Sequence, residues 1–198
     1  HQHRQTFKVG LRGDVRLAVD HQGNVKGCAA HVHTDEVAVS RDTRQFDIAH
    51  MLSPMPVASM LGLGSNPSPT ITPFSLGRGG NAITLSTRLF DRMRDDARLP
   101  EMASALDNAH ALAQTIAAIK ARGAPLPTFG VTYPFSSHNY EFRYWLAAGG
   151  IDPDRDVKLV VVPPPLTSDA LAAGAIDGFC VGAPWNMVAS ERGVGRIV

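Results

Sequence analysis

A regular alternation of strand-like and helix-like segments between residues 128 and 182 limits what this chain can fold into. TFGVT (128–132) is short and strand-like, and Pro134 prevents it from continuing as a central strand. Ser136 or Ser137 supplies a helix N-cap, and Phe142, Trp145 and Leu146 follow at i, i+3, i+4 spacing. Gly149-Gly150 ends that helix. VKLVVV (157–162) predicts a buried parallel strand, closed by Pro163-Pro164-Pro165. Thr167 or Ser168 caps a short helix that Gly174 ends, and IDGFCV (176–181) is the next strand. The order β-α-β-α-β predicts a parallel α/β sheet.

The chemistry this order offers sits at the first turn of the helix near Ser137. N–H groups at a helix start lack intrahelical acceptors, and the aligned peptide dipoles add partial positive charge there. Ser136, Ser137, His138 and Asn139 surround that turn with short donors and one imidazole. Such a set suits a small oxyanion. Serine caps are common, however, so the same residues also describe a plain helix start in which His138 only packs.

Longer words around this turn carry a resemblance. HNYEFRYWLAAGGIDPDRDV, VVVPPP and AGAIDGFCVGAPWN resemble the second lobe of periplasmic-type solute-binding proteins of the nitrate, bicarbonate and sulfonate group. FDIAHMLSPMPVA (46–58) and GGNAITLSTRL (79–89) match the same group upstream. Within it the chain is similar to the nitrate/bicarbonate-binding ABC-transporter solute-binding family (NrtA/CmpA-like, including the nitrate sensor NasS). It looks like a truncated or fragmentary member. The words follow one another in family order over about residues 46–198, which is far more specific than a lone glycine motif.

The resemblance implies an α/β fold of the periplasmic-binding-protein type II kind. It has two lobes with parallel-rich sheets, a ligand in the crevice at the strand ends, and here an incomplete first lobe. It further implies ligand contacts from His138, Asn81 and the backbone at Ser136 and Ser137. Trp185 either walls the cleft or packs. Asn81 stands where the transporters tend to carry Gln; it is shorter but offers the same amide donor and acceptor. Ala183 stands where the resembling proteins often have Glu. A tryptophan expected before Phe46 is missing, and a basic residue expected beyond Pro184-Trp185 falls past Val198. The site in this chain is therefore expected to be incomplete.

Composition sets the outer bounds. The 198 residues are 44% hydrophobic, enough for a proper core in one large domain or two small lobes. Nineteen basic against eighteen acidic residues give net +1, so charge offers no case for nucleic acid or a membrane surface. No apolar run is long enough to span a bilayer. Of the two cysteines, Cys28 and Cys180, the second falls in a predicted buried strand as a small apolar thiol. His31 and His33 lie with Asp35 and Glu36 in a polar stretch that has no second ligand cluster, so a solvated loop outweighs a metal site.

Residues 1–45 alternate only in patches and lack the family's opening segments. From Phe46, FDIAHML predicts a strand, and Ser53-Pro54 opens a helix running toward Leu61 and Gly62. His50 faces a cleft or fills space beside Met51 and Met55. TPFSL (72–76) and AITLS (82–86) predict strands around Gly77-Arg78-Gly79-Gly80, a turn whose spacing fits neither a dinucleotide nor a Walker loop. Residues 87–122 are alanine-rich and helical. Leu106, Ala109, Ala113, Ile116 and Ala117 predict one apolar stripe, with Leu112 and Ile119 beside it and His110 at its boundary.

No catalytic set emerges, so the chain is not expected to be an enzyme and calls for no cofactor and no metal. An enzyme of the thiamine-precursor type on this fold would need a reactive His or Cys cluster. Asp152, Asp154 and Asp156 lack the glycine and terminal Glu of a calcium loop and predict a helix-to-strand turn. Asp177 is expected to cap or pair near the cleft. The expected division is a first lobe over 1–86, a helical connection over 87–124, a second α/β lobe over 125–182, and a return to the first lobe over 183–198. The expected function is binding of nitrate, nitrite or bicarbonate as the solute-binding component of an ABC transporter. Its partner would be the transporter permease, with the protein periplasmic or membrane-associated on the outer face. The alternative is a cytoplasmic nitrate/nitrite sensor acting on a regulatory protein partner.

Overall fold

The structure, a computed structural model, describes residues 51–64, 66–73, 75, 79–100 and 102–198. It divides into the compact units His1–Thr72 and Pro73–Val198. In the first unit, helix α1 (Pro54–Leu61) carries Pro at its start, where the missing N–H costs nothing, and Gly62 ends it at φ 69°. Ser59 Oγ donates to the Ser68 carbonyl (3.1 Å) and Thr70 Oγ1 to the Pro56 carbonyl (3.0 Å), folding the following loop back on α1. The expectations for residues 1–45, for the strand before His50, for Cys28, His31, His33 and His50, and for the turn at Gly77-Arg78 fall outside the described residues. Thr72, Pro73 and Ser75 are not in a strand.

In the second unit the order is β1 (Asn81–Ser86), α2 (Thr87–Ala97), α3 (Ala105–Ala121), β2 (Thr128–Val131), α4 (Ser137–Ala148), β3 (Lys158–Val161), a 3-10 turn (Pro164–Leu166), α5 (Thr167–Ala172), β4 (Gly178–Gly182), α6 (Trp185–Glu191) and β5 (Gly195–Ile197). These strands form one sheet in the order β3-β2-β4-β1-β5. Strand β2 runs parallel to both β3 and β4, as the alternation predicts. Strand β1 runs antiparallel to β4 and to β5.

That pairing corrects the expected division. Residues 81–86 and the GRIV strand were assigned to a first lobe, yet both bond into the sheet of β2, β3 and β4. An extended segment shows its period locally but not its partner, and here the partner is β4, in register from Asn81↔Gly182 to Leu85↔Gly178. Residues 87–124 are likewise no mere connection, because α2 and α3 cover one face of this sheet.

The sheet lies between two helical layers. On one face Leu85, Phe129, Val131 and Cys180 meet Leu89 and Met93 of α2, Leu112 and Ile116 of α3, and Phe142, Trp145 and Leu146 of α4. The rings of Phe129 and Phe142 meet edge-on with centroids 5.1 Å apart. On the other face Phe179 and Val181 meet Leu171, Ile176 and Ala189, with Trp185 and Val162 partly buried against them. Each such side chain contributes about 1.5–3 kcal/mol when fully buried.

Two expectations about faces are corrected. The buried face of α3 is Asn108, Ala109, Ala111, Leu112, Thr115, Ile116 and Ile119, while Leu106 is exposed. Many small alanines blur a stripe, and the larger Leu112, Ile116 and Ile119 set the face that docks. Strand β3 is an edge rather than a buried strand, and Val161 is 53% exposed.

The close approach of α3 to α4 yields a test. Gly149 has φ −77°, so Ala fits its backbone. A Cβ there would nevertheless stand 2.7 Å from Ala109 Cβ and 2.8 Å from the Ala109 carbonyl. Gly149→Ala should cost about 1–3 kcal/mol by urea denaturation. A loss under about 0.5 kcal/mol, the scale of a neutral surface change, would show that the two helices separate freely.

Candidate functional site

The sheet topology places a crevice where a candidate site can be built. From β2 the chain leaves to α4 on one face, and from the adjacent parallel β4 it leaves to α6 on the other. Neighbouring strands whose continuations diverge in this way open a crevice beyond their carboxyl ends. Strand β1, being antiparallel, enters at that same edge, so its first residue, Asn81, sits opposite Gly182 at the end of β4.

The loop from β2 into α4 is tightly fixed. Ser136 is fully buried and is the N-cap: its Oγ accepts from the Asn139 N–H (3.1 Å) and donates to the Tyr133 carbonyl (2.6 Å). Asn139 Nδ2 donates to the Pro134 carbonyl (2.6 Å), so this amide braces the loop. Asn139 N–H is thus capped, and Ser136 N–H donates to the Tyr133 carbonyl. The backbone N–H groups of Ser137 and His138 have no acceptor among the described residues. They are the two free donors of the helix start, at its positive end.

Asn81 and Ser137, 56 positions apart, are brought together there. Asn81 Nδ2 donates to Glu141 Oε2 at 2.9 Å and to Ser137 Oγ at 3.4 Å. Glu141 is a member of this cluster that sequence reasoning missed. Its one signal was the i, i+3 spacing from His138, which puts both on one side of α4. Thr132, at the end of β2, was also missed; its buried Oγ1 has no hydrogen-bond partner.

His138 is 7% exposed, and its buried Nδ1 has no partner. Burial pushes its imidazole below the usual range, and the Glu141 carboxylate offsets this in part. Trp185 opens α6 and packs half-buried against the cluster of Leu171, Phe179 and Val181, on the face of the sheet away from α4. Asn186 is buried beside it and donates to the carbonyls of Val181 (2.9 Å) and Ala82 (3.3 Å), tying α6 to the paired strands.

Other sequence candidates lie elsewhere. Asp177 does pair, but at the start of β4, the opposite end from the crevice: it accepts from Arg88 (2.8 Å) and from the Thr128 N–H (2.9 Å). Asp152, Asp154 and Asp156 form the expected turn, with Arg143 on Asp154 (2.6 Å) and Lys120 on Asp156. Cys180 is a buried free thiol pushed up to about 12, by burial first and Glu141 second. Among the described residues, no group of three or more His, Cys, Asp or Glu could hold a metal ion.

Residues 26–198 match the NMT1-like family. The chain belongs to that family. Among relatives, the nitrate import ATP-binding protein NrtC of Synechocystis sp. is 39% identical over 159 residues, 78% of this chain and 21% of NrtC. The bicarbonate transport ATP-binding protein CmpC of Synechococcus elongatus is 36% identical over 176 residues, 81% of this chain and 24% of CmpC. The nitrate/nitrite binding protein NrtA of Synechococcus elongatus is 34% identical over 165 residues, 82% of this chain and 34% of NrtA. This NMT1-like chain thus spans between 21% and 34% of the length of these relatives.

The periplasmic nitrate-binding protein NrtA of Synechocystis superposes with a TM-score of 0.64 at 28% identity, over 81% of this chain and 40% of NrtA. A ligand-binding component of an ABC-type import system from Staphylococcus aureus shares the fold at a TM-score of 0.53 and 17% identity, over 83% of this chain and 45% of that one. The NMT1-like chain therefore has the fold of periplasmic solute-binding proteins and belongs with nitrate and bicarbonate transport relatives, as the sequence words imply. Among its described residues, no helix is long and apolar enough to cross a membrane.

Two measurements follow from the loop. Ser136→Ala removes the cap and should cost about 1–2 kcal/mol of folding stability by chemical denaturation. A neutral result would mean that the loop holds without it. His138 in the folded chain binds a proton less readily than the unfolded imidazole near 6.5. The stability this gives is present above that value and lost as pH falls through the lowered one. Unfolding free energy should therefore drop more steeply from about pH 7 to pH 5 than in His138→Gln. Equal slopes would mean a solvated imidazole.

Proposed function

We propose that this chain is the anion-capturing part of a solute-binding protein, taking a small planar oxyanion without chemical change. What carries this is the pair of unpaired N–H groups at Ser137 and His138, beside a buried imidazole and Asn81 at the strand-end crevice. Nitrate, nitrite and bicarbonate are the ligands that the names of its relatives support. The anion sits against the start of α4, accepting from both N–H groups. His138 adds a donor, and its low proton affinity in the empty site rises once negative charge is beside it. Anion and proton uptake are thereby coupled. Trp185, on the other side of β4, holds the far wall of the crevice by packing.

The partner on this reading is the permease of an ABC importer, and the place is the outer face of the membrane. Two of the relatives are named for ATP binding. The chain itself has no Walker loop, so nucleotide is not part of the proposal.

Calorimetry with nitrate, nitrite and bicarbonate should show heat for at least one. Silence for all three, with heat from an alkanesulfonate, would move the chain to another ligand class. His138→Ala should weaken the anion that binds by about 1.5–3 kcal/mol, the scale for a hydrogen bond to a charged group. In the native protein, affinity should rise as pH falls through the histidine range. A variant with unchanged affinity would leave His138 a packing residue.

A further inference from the structure

We infer that the hydrogen bond between Asn81 and Glu141 is an autoinhibitory contact, in which a side chain of α4 holds the amide that an incoming anion would otherwise take. The inference rests on the function proposed above. Asn81 Nδ2 donates to Glu141 Oε2 at 2.9 Å and to Ser137 Oγ at 3.4 Å. A carboxylate only accepts, so the NH2 group of Asn81 faces α4. Its oxygen faces the other way, over Gly182 at the end of β4. The two N–H groups of this amide thus have two acceptors on α4, and the donor that β1 brings to the crevice is already in use.

The internal acceptor is chemically close to the proposed guest. A carboxylate is a planar oxyanion, as nitrate and bicarbonate are, and it takes the same amide hydrogens. Ser137, the other acceptor, is also the residue that carries the first free backbone N–H of α4. An anion seated on the N–H groups of Ser137 and His138 therefore recruits Asn81 only by displacing Glu141. The contact is exposed, so a released Glu141 returns to water at small cost and the exchange runs easily both ways. Affinity is lowered without the site being closed. The contact acts on these anions alike, because what it withholds is a donor that each of them would use.

The test is calorimetry with nitrate and with bicarbonate on the native protein, Glu141→Ala, Asn81→Ala and the double variant. Glu141→Ala frees the amide and should raise affinity about three- to tenfold, the net worth of one hydrogen bond. Where both anions bind, both should gain. Glu141→Gln keeps a neutral acceptor and should gain less. In the Asn81→Ala background, removing Glu141 should change affinity by less than about twofold, because the amide it held is gone. A full gain in that background would come from lost negative charge alone; it would overturn the contact's role while anion capture stands. No gain from Glu141→Ala, or a gain for one of two bound anions, would overturn it equally. A second readout needs no ligand: the side-chain amide signals of Asn81 in the NMR spectrum of the empty protein should shift in Glu141→Ala. Unshifted signals would show that the contact is absent and end the proposal whatever binds. Without heat from either anion in any of these proteins, anion capture itself fails and this role with it.

Discussion

The antiparallel pairing of β1 with β4 is the constraint on which the rest depends. Five registered pairs, Asn81↔Gly182 to Leu85↔Gly178, insert a strand of opposite direction beside a parallel set. Its first residue therefore lands at the carboxyl edge of β4, and its last, Ser86, lands at the other edge. There Ser86 caps α2 by accepting from the Leu89 N–H (3.1 Å), and its own N–H donates to the Asp177 carbonyl (2.8 Å). Asn186 closes the opposite edge by bonding the backbones of both strands. One pairing thus decides where the crevice lies, which amide reaches α4, and how α2 starts across the sheet.

Much of this was legible because its causes are local. A proline, a serine cap, an i, i+3, i+4 triplet and a double glycine bound α4, and the structure gives Ser137–Ala148. The β-α-β-α-β order gave the parallel set for the same reason. What was not legible depends on partners distant in the chain. NAITLS reads as a strand in either lobe; only β4, a hundred residues later, settles which sheet it joins. VKLVVV reads as buried, because β-branched runs usually are, and its place at the edge is a property of the whole sheet. Glu141 carries no local signal of the strand it pairs with. Its hydrogen bond to Asn81 joins positions 60 apart.

Buried atoms without partners do not by themselves mark the site. Thr84, Thr115 and Asn108 each hold one as well, in strand β1 and helix α3 away from the crevice. Two things set His138 apart. It changes charge in a range that anion binding can shift, whereas a threonine hydroxyl does not. It also stands at a helix start on the strand-end crevice where two backbone donors remain free beside a capped third, so a negative guest would satisfy the imidazole and the peptide groups together.

The same geometry explains why a helix start is attractive to anions before it is selective among them. A dipole and two N–H groups welcome any small anion, since they sense charge and little else. Discrimination needs a group that some anions satisfy and others offend. Around the donors of α4 stand groups from two elements, the buried His138 imidazole of the helix itself and the Asn81 amide of β1. Glu141 follows His138 by an i, i+3 step and accepts from the Asn81 amide at 2.9 Å on the exposed side of the helix. The groups beside the donors are therefore set by the antiparallel strand as much as by the helix, since that pairing brings Asn81 to α4.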